Sequence, residues 1–590
     1  MKKNKLIYVA GLGLMLASGL SSCEDKLDVV NTNQQTTSEF GNTSSDLDEA
    51  VIACYNHIRM DGTFSRLGYL EEVCLGDEVG EFNDNLWWSR FDWYNAPQAG
   101  WDEQTSPLYM WSYAINKCNF VLYKVDKVGL DASSDKYKQI KGQALFIRGL
   151  GLYELATFYQ DVPFTTNYED YASLEGLYMA TRPQSEVLDQ AEADFKEAME
   201  LLPSRDEGGE WAGGRATCGA AAGYYVRTLM FRRKFTDALA VCKDILSSED
   251  GGNQKYGAYK LMADYGDNFR SQSGENNEES LFEVQFLDYG VGGSDFEWGP
   301  VNNSKSATQG HAIETVFANG DAGGWNDLAA QPWLYQTFKS QKQVNGNPDP
   351  RLYWTLLSYE PEYDNMDGYS NTAYTKAYTE HIATGANWFG MSIAKHTTAR
   401  ENIYKTIPAQ GLTCGVNIRL LRYSDILLRA AECENEVNGP TANAFKWINK
   451  VRKRANLADL DQSKFTTADA LFEQIANVER PTEFGCEHGR LQDLIRWGFF
   501  YEPSRLKQLH KHGCSFHGKD RVAELPATVE EADYDSFQYY QEGHEYMCIV
   551  DKDLNANYNL KGNSANNNTS NRSFYDGYTI HPVVPGIGVQ

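Results

Sequence analysis

Past residue 22 the chain has no apolar run long enough to cross a membrane, and positive charge is scarce, with 54 Lys and Arg against 81 Asp and Glu. The first lack leaves no spanning helix beyond the N-terminal segment. The second gives a formal charge of −27, a surface that repels phosphate backbones, so nucleic acid is excluded as a partner. The eleven cysteines contain no CxxC pair, the spacing on which most structural zinc sites are built. G-x-S-x-G, P-loop, H-E-x-x-H and dinucleotide fingerprints are also missing. The common signatures of hydrolase, nucleotide and metallopeptidase chemistry therefore have no footing here. With 81 acids any carboxylate pair can be imagined, so acid abundance is no sign of glycoside hydrolysis. The chain reads as a binding protein rather than an enzyme.

What is present begins at the N-terminus. Met1 to Lys5 is a short basic segment, Leu6 to Leu20 is apolar, and Leu20-Ser21-Ser22-Cys23 resembles the lipobox of bacterial lipoproteins. This pattern predicts that residues 1–22 are a removed signal peptide and that Cys23 carries a diacylglycerol, holding the protein to a membrane by acyl chains. Loss of Lys2, Lys3 and Lys5 takes the charge from −27 to −30. Residues 23–45 are polar, with Asn31-Thr32-Asn33-Gln34-Gln35-Thr36-Thr37, and read as a flexible tether. The other ten cysteines include Cys118, Cys242 and Cys433 inside helix-like patterns, and most are expected to be free and buried.

Beyond the tether, helical periodicity dominates. Gly142 to Phe158 repeats apolar residues at helical steps until Asp161-Val162-Pro163 stops it. Leu188, Ala191, Phe195, Ala198 and Leu202 lie three or four residues apart, with Pro203 closing the run. Thr217–Phe231 with Thr236–Leu246, and Arg422–Glu436 with Thr441–Arg454, read as helix pairs resembling tetratricopeptide units. Between them, residues 60–107 and 286–350 read as long irregular stretches, too aromatic to be disordered.

Those stretches hold the binding candidates. Sugars present apolar C–H faces and hydroxyls, so a capture site needs flat rings beside Asn, Asp or Arg. Asn85, Trp87, Trp88, Trp93, Trp101, Tyr289, Trp298 and Trp325 fit that composition. For any single Trp the alternative is a ring that wedges its loop onto the helical scaffold. Two further clusters suggest metals. His510-Lys511-His512-Gly513-Cys514 through His517 is too tightly spaced for a structural zinc site and reads as a polar surface loop. Asp551, Asp553, Asn555 and Asn557 begin like a calcium loop, but Ala556 stands at its sixth position and Gly562 at its twelfth. A solvated Asn-rich turn fits better, with calcium as the possible cofactor.

Seven motifs in order resemble the SusD/RagB family of nutrient-binding outer-membrane lipoproteins. They run from Ser22-Cys23-Glu24-Asp25-Lys26-Leu27-Asp28 and Trp111 to Asn119, through Gly142 to Arg148 and Gly214 to Ala221, to Ile418 to Glu432, Asn449 to Ala455 and Glu479 to Gly498. Gln160 stands where the family pattern has Gly, and Pro481 is unusual in its motif. The resemblance implies a mainly α fold of tetratricopeptide-like helix pairs with loop-rich ligand-binding excursions. It implies one domain over 46–590, with an N-terminal part at about 46–250 and a C-terminal part at about 270–590. It further implies capture of an oligo- or polysaccharide at the cell exterior and a SusC-like, TonB-dependent outer-membrane barrel as partner. Peptide cargo, as in the RagB branch, and a lipid-anchored glycoside hydrolase are the alternatives.

Overall fold

A computed structural model describes residues 40–81, 86–95, 106–247, 254–271, 273–286, 310–318, 324–358, 360–366, 391–401, 414–516, 525–560, 575 and 577–588. Its frame is a stack of helices, Ser106–Val125, Asp135–Tyr159, Gln184–Leu201, Cys218–Phe231, Phe235–Leu246, Tyr423–Asn438 and Ala442–Arg454. Each packs on the next in that order, and Ser44–Ile58 lies against the first two. The expected mainly α architecture of tetratricopeptide-like pairs is the one observed. Helix ends carry the signals that the sequence offers: Thr217 Oγ1 accepts from Ala220 N at 3.2 Å, and Thr43 forms a capping box with Asp46. Small residues sit where helices and strands close on one another. A Cβ on Gly142 would lie 2.9 Å from Leu202, and one on Gly223 would lie 2.2 Å from Leu421.

Between Leu246 and Tyr423 the chain leaves the stack and returns. Strand Ser280–Val284 pairs antiparallel with Ile418–Arg422, which feeds straight into the Tyr423–Asn438 helix. A second ladder joins Val79–Glu81 to Leu328–Ala330, with Glu81 opposite Leu328. One hydrophobic core runs from Leu47 to Ile549 through both halves of the sequence. Ten of the eleven cysteines lie among the described residues, and all ten are free and buried, as expected of most of them.

Three of the motifs that carry the family resemblance, Ile418 to Glu432, Asn449 to Ala455 and Glu479 to Gly498, meet in buried ion pairs. Asp425 accepts from Arg227, Arg429 and Arg480, and Arg480 also pairs with Asp493 at 2.7 Å. Arg422 meets Glu279, Glu483 and Glu487 at 2.7–2.9 Å, while Arg452 pairs with Glu479. Arg496 reaches Asp493 and Glu432. Buried charges persist only when paired and hydrogen-bonded, so these residues lock the helix pairs to the segment after residue 479. In the N-terminal half Arg148 does the same, bridging Asp194 at 2.7 Å and Asn119 at 2.9 Å.

Three expectations need correction. Phe40 stacks on Phe120 at 5.9 Å, so residues 40–45 belong to the folded body rather than to the tether. The stretch 60–107 contains a helix, Leu67–Cys74, that is buried nearly all round, its Glu71 and Glu72 included, and so shows no polar face in the sequence. The stretch 286–350 likewise holds Ile313–Phe317 and Pro332–Ser340. Gln160 ends its helix with φ at +69°, a region open to Gly without cost, which is why the family pattern favours Gly there.

Candidate functional site

The ladder between Val79–Glu81 and Leu328–Ala330 brings the two tryptophan-bearing segments together. One strand runs into the segment before Trp87 and Trp88, and the other emerges from the segment that carries Trp325. Because Glu81 faces Leu328, both segments leave the same end of the ladder. The Trp88 indole then donates to Asp327 Oδ2 at 3.3 Å. Trp88 is only 2 % exposed, so its ring wedges the segment onto the scaffold and cannot stack on a ligand. That corrects its place among the binding candidates. Trp87 and Trp325 are half-buried and pack their inner faces on the core.

Trp93 has a different setting. It lies just past the short helix Leu86–Asp92, half-buried, and its Nε1 donates to the Tyr534 hydroxyl at 2.5 Å. The Tyr534 hydroxyl in turn donates to Asp92 Oδ2, which also accepts from Glu81 N at 2.9 Å. Asp92 is fully buried, and burial pushes its carboxyl up to about 7. Burial and the Asp92 charge hold the Tyr534 phenol well above its ordinary value, so it stays a donor. This relay fixes the indole of Trp93 in orientation. Tyr539, 52 % exposed, sets its ring 6.0 Å from that indole at 65°. The two make an open aromatic shelf with rigid backing. Asn85, Trp101, Tyr289 and Trp298 lie outside the described residues, as does Cys23.

A second shelf was not foreseen. Tyr558 is 78 % exposed and stacks on Tyr178 at 5.7 Å and 27°. Asn557 and Asn559 pin it by donating to the carbonyls of Met179 and Tyr178 at 2.9 and 2.7 Å. Tyrosines scattered through 36 in the sequence gave no signal; the clue was the Asn-Tyr-Asn run itself, read instead as part of a calcium loop.

A model of the SusD family matches residues 278–576, and one described as starch-binding, associating with the outer membrane, matches residues 25–229. The chain belongs to the SusD family. It is 25 % identical over 527 residues to SusD-like protein P25 of Formosa agariphila, covering 85 % of this chain and 90 % of that one. A SusD homolog from Bacteroides thetaiotaomicron superposes with a TM-score of 0.70 at 18 % identity, over 90 % of this chain and 98 % of that one. Surface glycan-binding protein A from the same organism, in complex with laminarihexaose, superposes with a TM-score of 0.62 at 20 % identity, over 87 % and 98 %.

Within this SusD-family chain the two suspected metal clusters resolve otherwise. Asp551–Ala556 is a short helix, so Asp553 lies on the side opposite Asp551 and Asn555 instead of converging with them on an ion. Asp553 accepts from the Tyr109 hydroxyl, and Asn557 holds Met179 and Asn559. His510 and His512 end the helix Pro503–His512 rather than lying in a surface loop. His512 is buried, stacked on Trp333 at 4.0 Å, with Nδ1 2.7 Å from Asp77. His517 lies outside the described residues. No helix among the described residues is long and apolar enough to cross a membrane.

Proposed function

We propose that this chain is a lipid-anchored protein of the outer membrane that captures an oligo- or polysaccharide at the cell exterior. It then delivers the glycan to a SusC-like, TonB-dependent barrel. The observation that carries the binding part is the Trp93–Tyr539 shelf. An exposed ring set at an angle to a hydrogen-bonded indole costs solvation and serves no packing purpose. The shelf matches the apolar face of a pyranose, and the absence of any hydrolase motif in the sequence supports binding without turnover. The family description as starch-binding and outer-membrane-associated, and the laminarihexaose bound by a structural relative, support a glycan over a peptide. The Cys23 lipobox pattern and the charge of −27 suit a soluble body held at a membrane.

A glycan array followed by calorimetry on the best ligand tests the reading. Binding to a defined glycan, lost in Trp93→Ala with Tyr539→Ala, is the expected result. Wild-type affinity in the double variant, or reducing ends released from the bound glycan, would overturn it. Co-purification of a TonB-dependent barrel after mild detergent extraction tests delivery.

A further inference from the structure

Tyr558, at 78 %, is the most exposed large hydrophobic side chain among the described residues, and Leu177 follows at 62 %. A single exposed apolar residue needs no account. These two belong to one place on the fold, because Tyr558 stacks on Tyr178, the chain neighbour of Leu177, at 5.7 Å and 27°. The stack covers one face of the Tyr558 ring and leaves the other in water.

The backbone on both sides of that ring is pinned. Asn557, just past the Asp551–Ala556 helix, donates to Met179 O at 2.9 Å, and Asn559 donates to Tyr178 O at 2.7 Å. The Asn559 N–H donates in turn to Asn557 Oδ1 at 3.1 Å, and Leu560 packs on the core. Only the polar atoms around the ring's open face are left over. The hydroxyls of Tyr178 and Tyr558 and the Oδ1 of Asn559 have no partner among the described residues. A ligand that lands here therefore meets a ring already ordered, beside three hydrogen-bonding atoms that water alone serves.

An apolar ring face beside hydroxyls and an amide oxygen complements a pyranose, whose C–H face stacks while its hydroxyls find partners at the edge. Charge narrows the class. Over 177–180 and 550–560 the sole basic side chain is Lys552, flanked by Asp551 and Asp553, so no spare cation awaits a uronic acid or a sulfated sugar. The same imbalance, in a chain of charge −27, disfavours an anionic lipid surface, the other common use of exposed tyrosines.

We infer that Tyr558 on Tyr178 is a second glycan contact, which takes a neutral pyranose unit from a stretch of polysaccharide other than the one on the Trp93–Tyr539 shelf, with Asn559 Oδ1 accepting from a sugar hydroxyl. The inference rests on the glycan reading above and adds a second point of hold, so its weight shows on long chains.

Native gels cast with soluble starch, laminarin, xylan or galactomannan test it on the full chain. In a gel that slows the wild type, Tyr558→Ala should show a roughly three- to tenfold weaker apparent affinity, the worth of one aromatic contact, while Tyr558→Phe stays near the wild type. The unfolding midpoint of Tyr558→Ala should match the wild type, since the lost ring stands in water. Calorimetry should find a smaller loss on a disaccharide of the same sugar, which reaches one shelf at a time. Equal retardation of Tyr558→Ala and wild type would overturn the second contact and leave the Trp93–Tyr539 shelf standing. Equal losses on polymer and disaccharide would also overturn it, by placing Tyr558 in a single site with Trp93. A wild type that none of the gels slows would sink the glycan reading and this inference with it. Flotation of the wild type, but not of Tyr558→Ala, with phosphatidylcholine vesicles would assign the shelf to a lipid surface instead.

Discussion

Two tryptophans five residues apart have different settings, and the difference lies in what each indole nitrogen reaches. Trp88 points inward to Asp327, while the half-buried Trp93 leans on Tyr534 beside the exposed Tyr539. Trp93→Ala should therefore weaken glycan binding about tenfold, roughly 1.4 kcal/mol, at little cost in stability. Trp88→Ala should cost about 3–5 kcal/mol of folding stability by leaving a cavity. Calorimetry and urea unfolding on the two variants separate the effects, and equal loss of binding with no loss of stability would refute the assignment. Composition alone made all the tryptophans alike, because a wedge and a stacking ring draw on the same residue type. Behind Trp93, Asp92 offers a second residue-level test. Its carboxyl shifts from 3.8 in the unfolded chain to about 7 when folded. Between those values the folded state holds the extra proton, so this group's contribution to stability falls as pH rises from about 4 to 7. Asp92→Asn carries no charge at any pH. Its stability relative to the wild type should rise across that window, by up to about 4 kcal/mol at roughly 1.4 kcal/mol per pH unit. Parallel denaturant curves for the two proteins would refute the shift.

At the scale of elements, legibility followed amphipathicity. The helices Gln184–Leu201 and Phe235–Leu246 bury one face and wet the other, and their C-terminal ends fall within a residue of those read from spacing. Leu67–Cys74 was missed because both faces are interior; Glu72 there accepts from the backbone of Gly489 and Leu491, a partnership that no local pattern announces. The short helix Asp551–Ala556 was read as a loop because its Asp and Asn spacing imitates a cation site. Caps were legible and have a testable weight. The motif from Gly214 to Ala221 contains Thr217, whose side chain caps the Cys218–Phe231 helix from a buried position. Thr217→Ala should destabilise the protein by about 1–2 kcal/mol, and Thr217→Ser by much less. Thermal unfolding of the pair checks this, and equal destabilisation would assign the role to packing of the methyl group instead.

For the whole molecule, three of the motifs that resemble the family, 418–432, 449–455 and 479–498, carry buried ion pairs that hold the fold together, and the aromatic shelves proposed to face a ligand lie apart from them. Asp425 shows the division of labour. It accepts from three guanidiniums drawn from the two helices and the segment after residue 479. Asp425→Asn strands their charge in the interior and should cost about 3–5 kcal/mol, seen as an earlier urea midpoint, while the glycan affinity of the folded fraction stays as it was. Location is set elsewhere again. If Cys23 is acylated, the polar residues after it link the lipid to a body that begins at Phe40, stacked on Phe120. Cys23→Ala should then yield a soluble protein with unchanged glycan affinity and no uptake of that glycan by the cells that make it. Fractionation, calorimetry and growth on the glycan as carbon source test the three parts separately. Growth at the wild-type rate by cells that release the variant in soluble form would show that capture does not depend on the anchor.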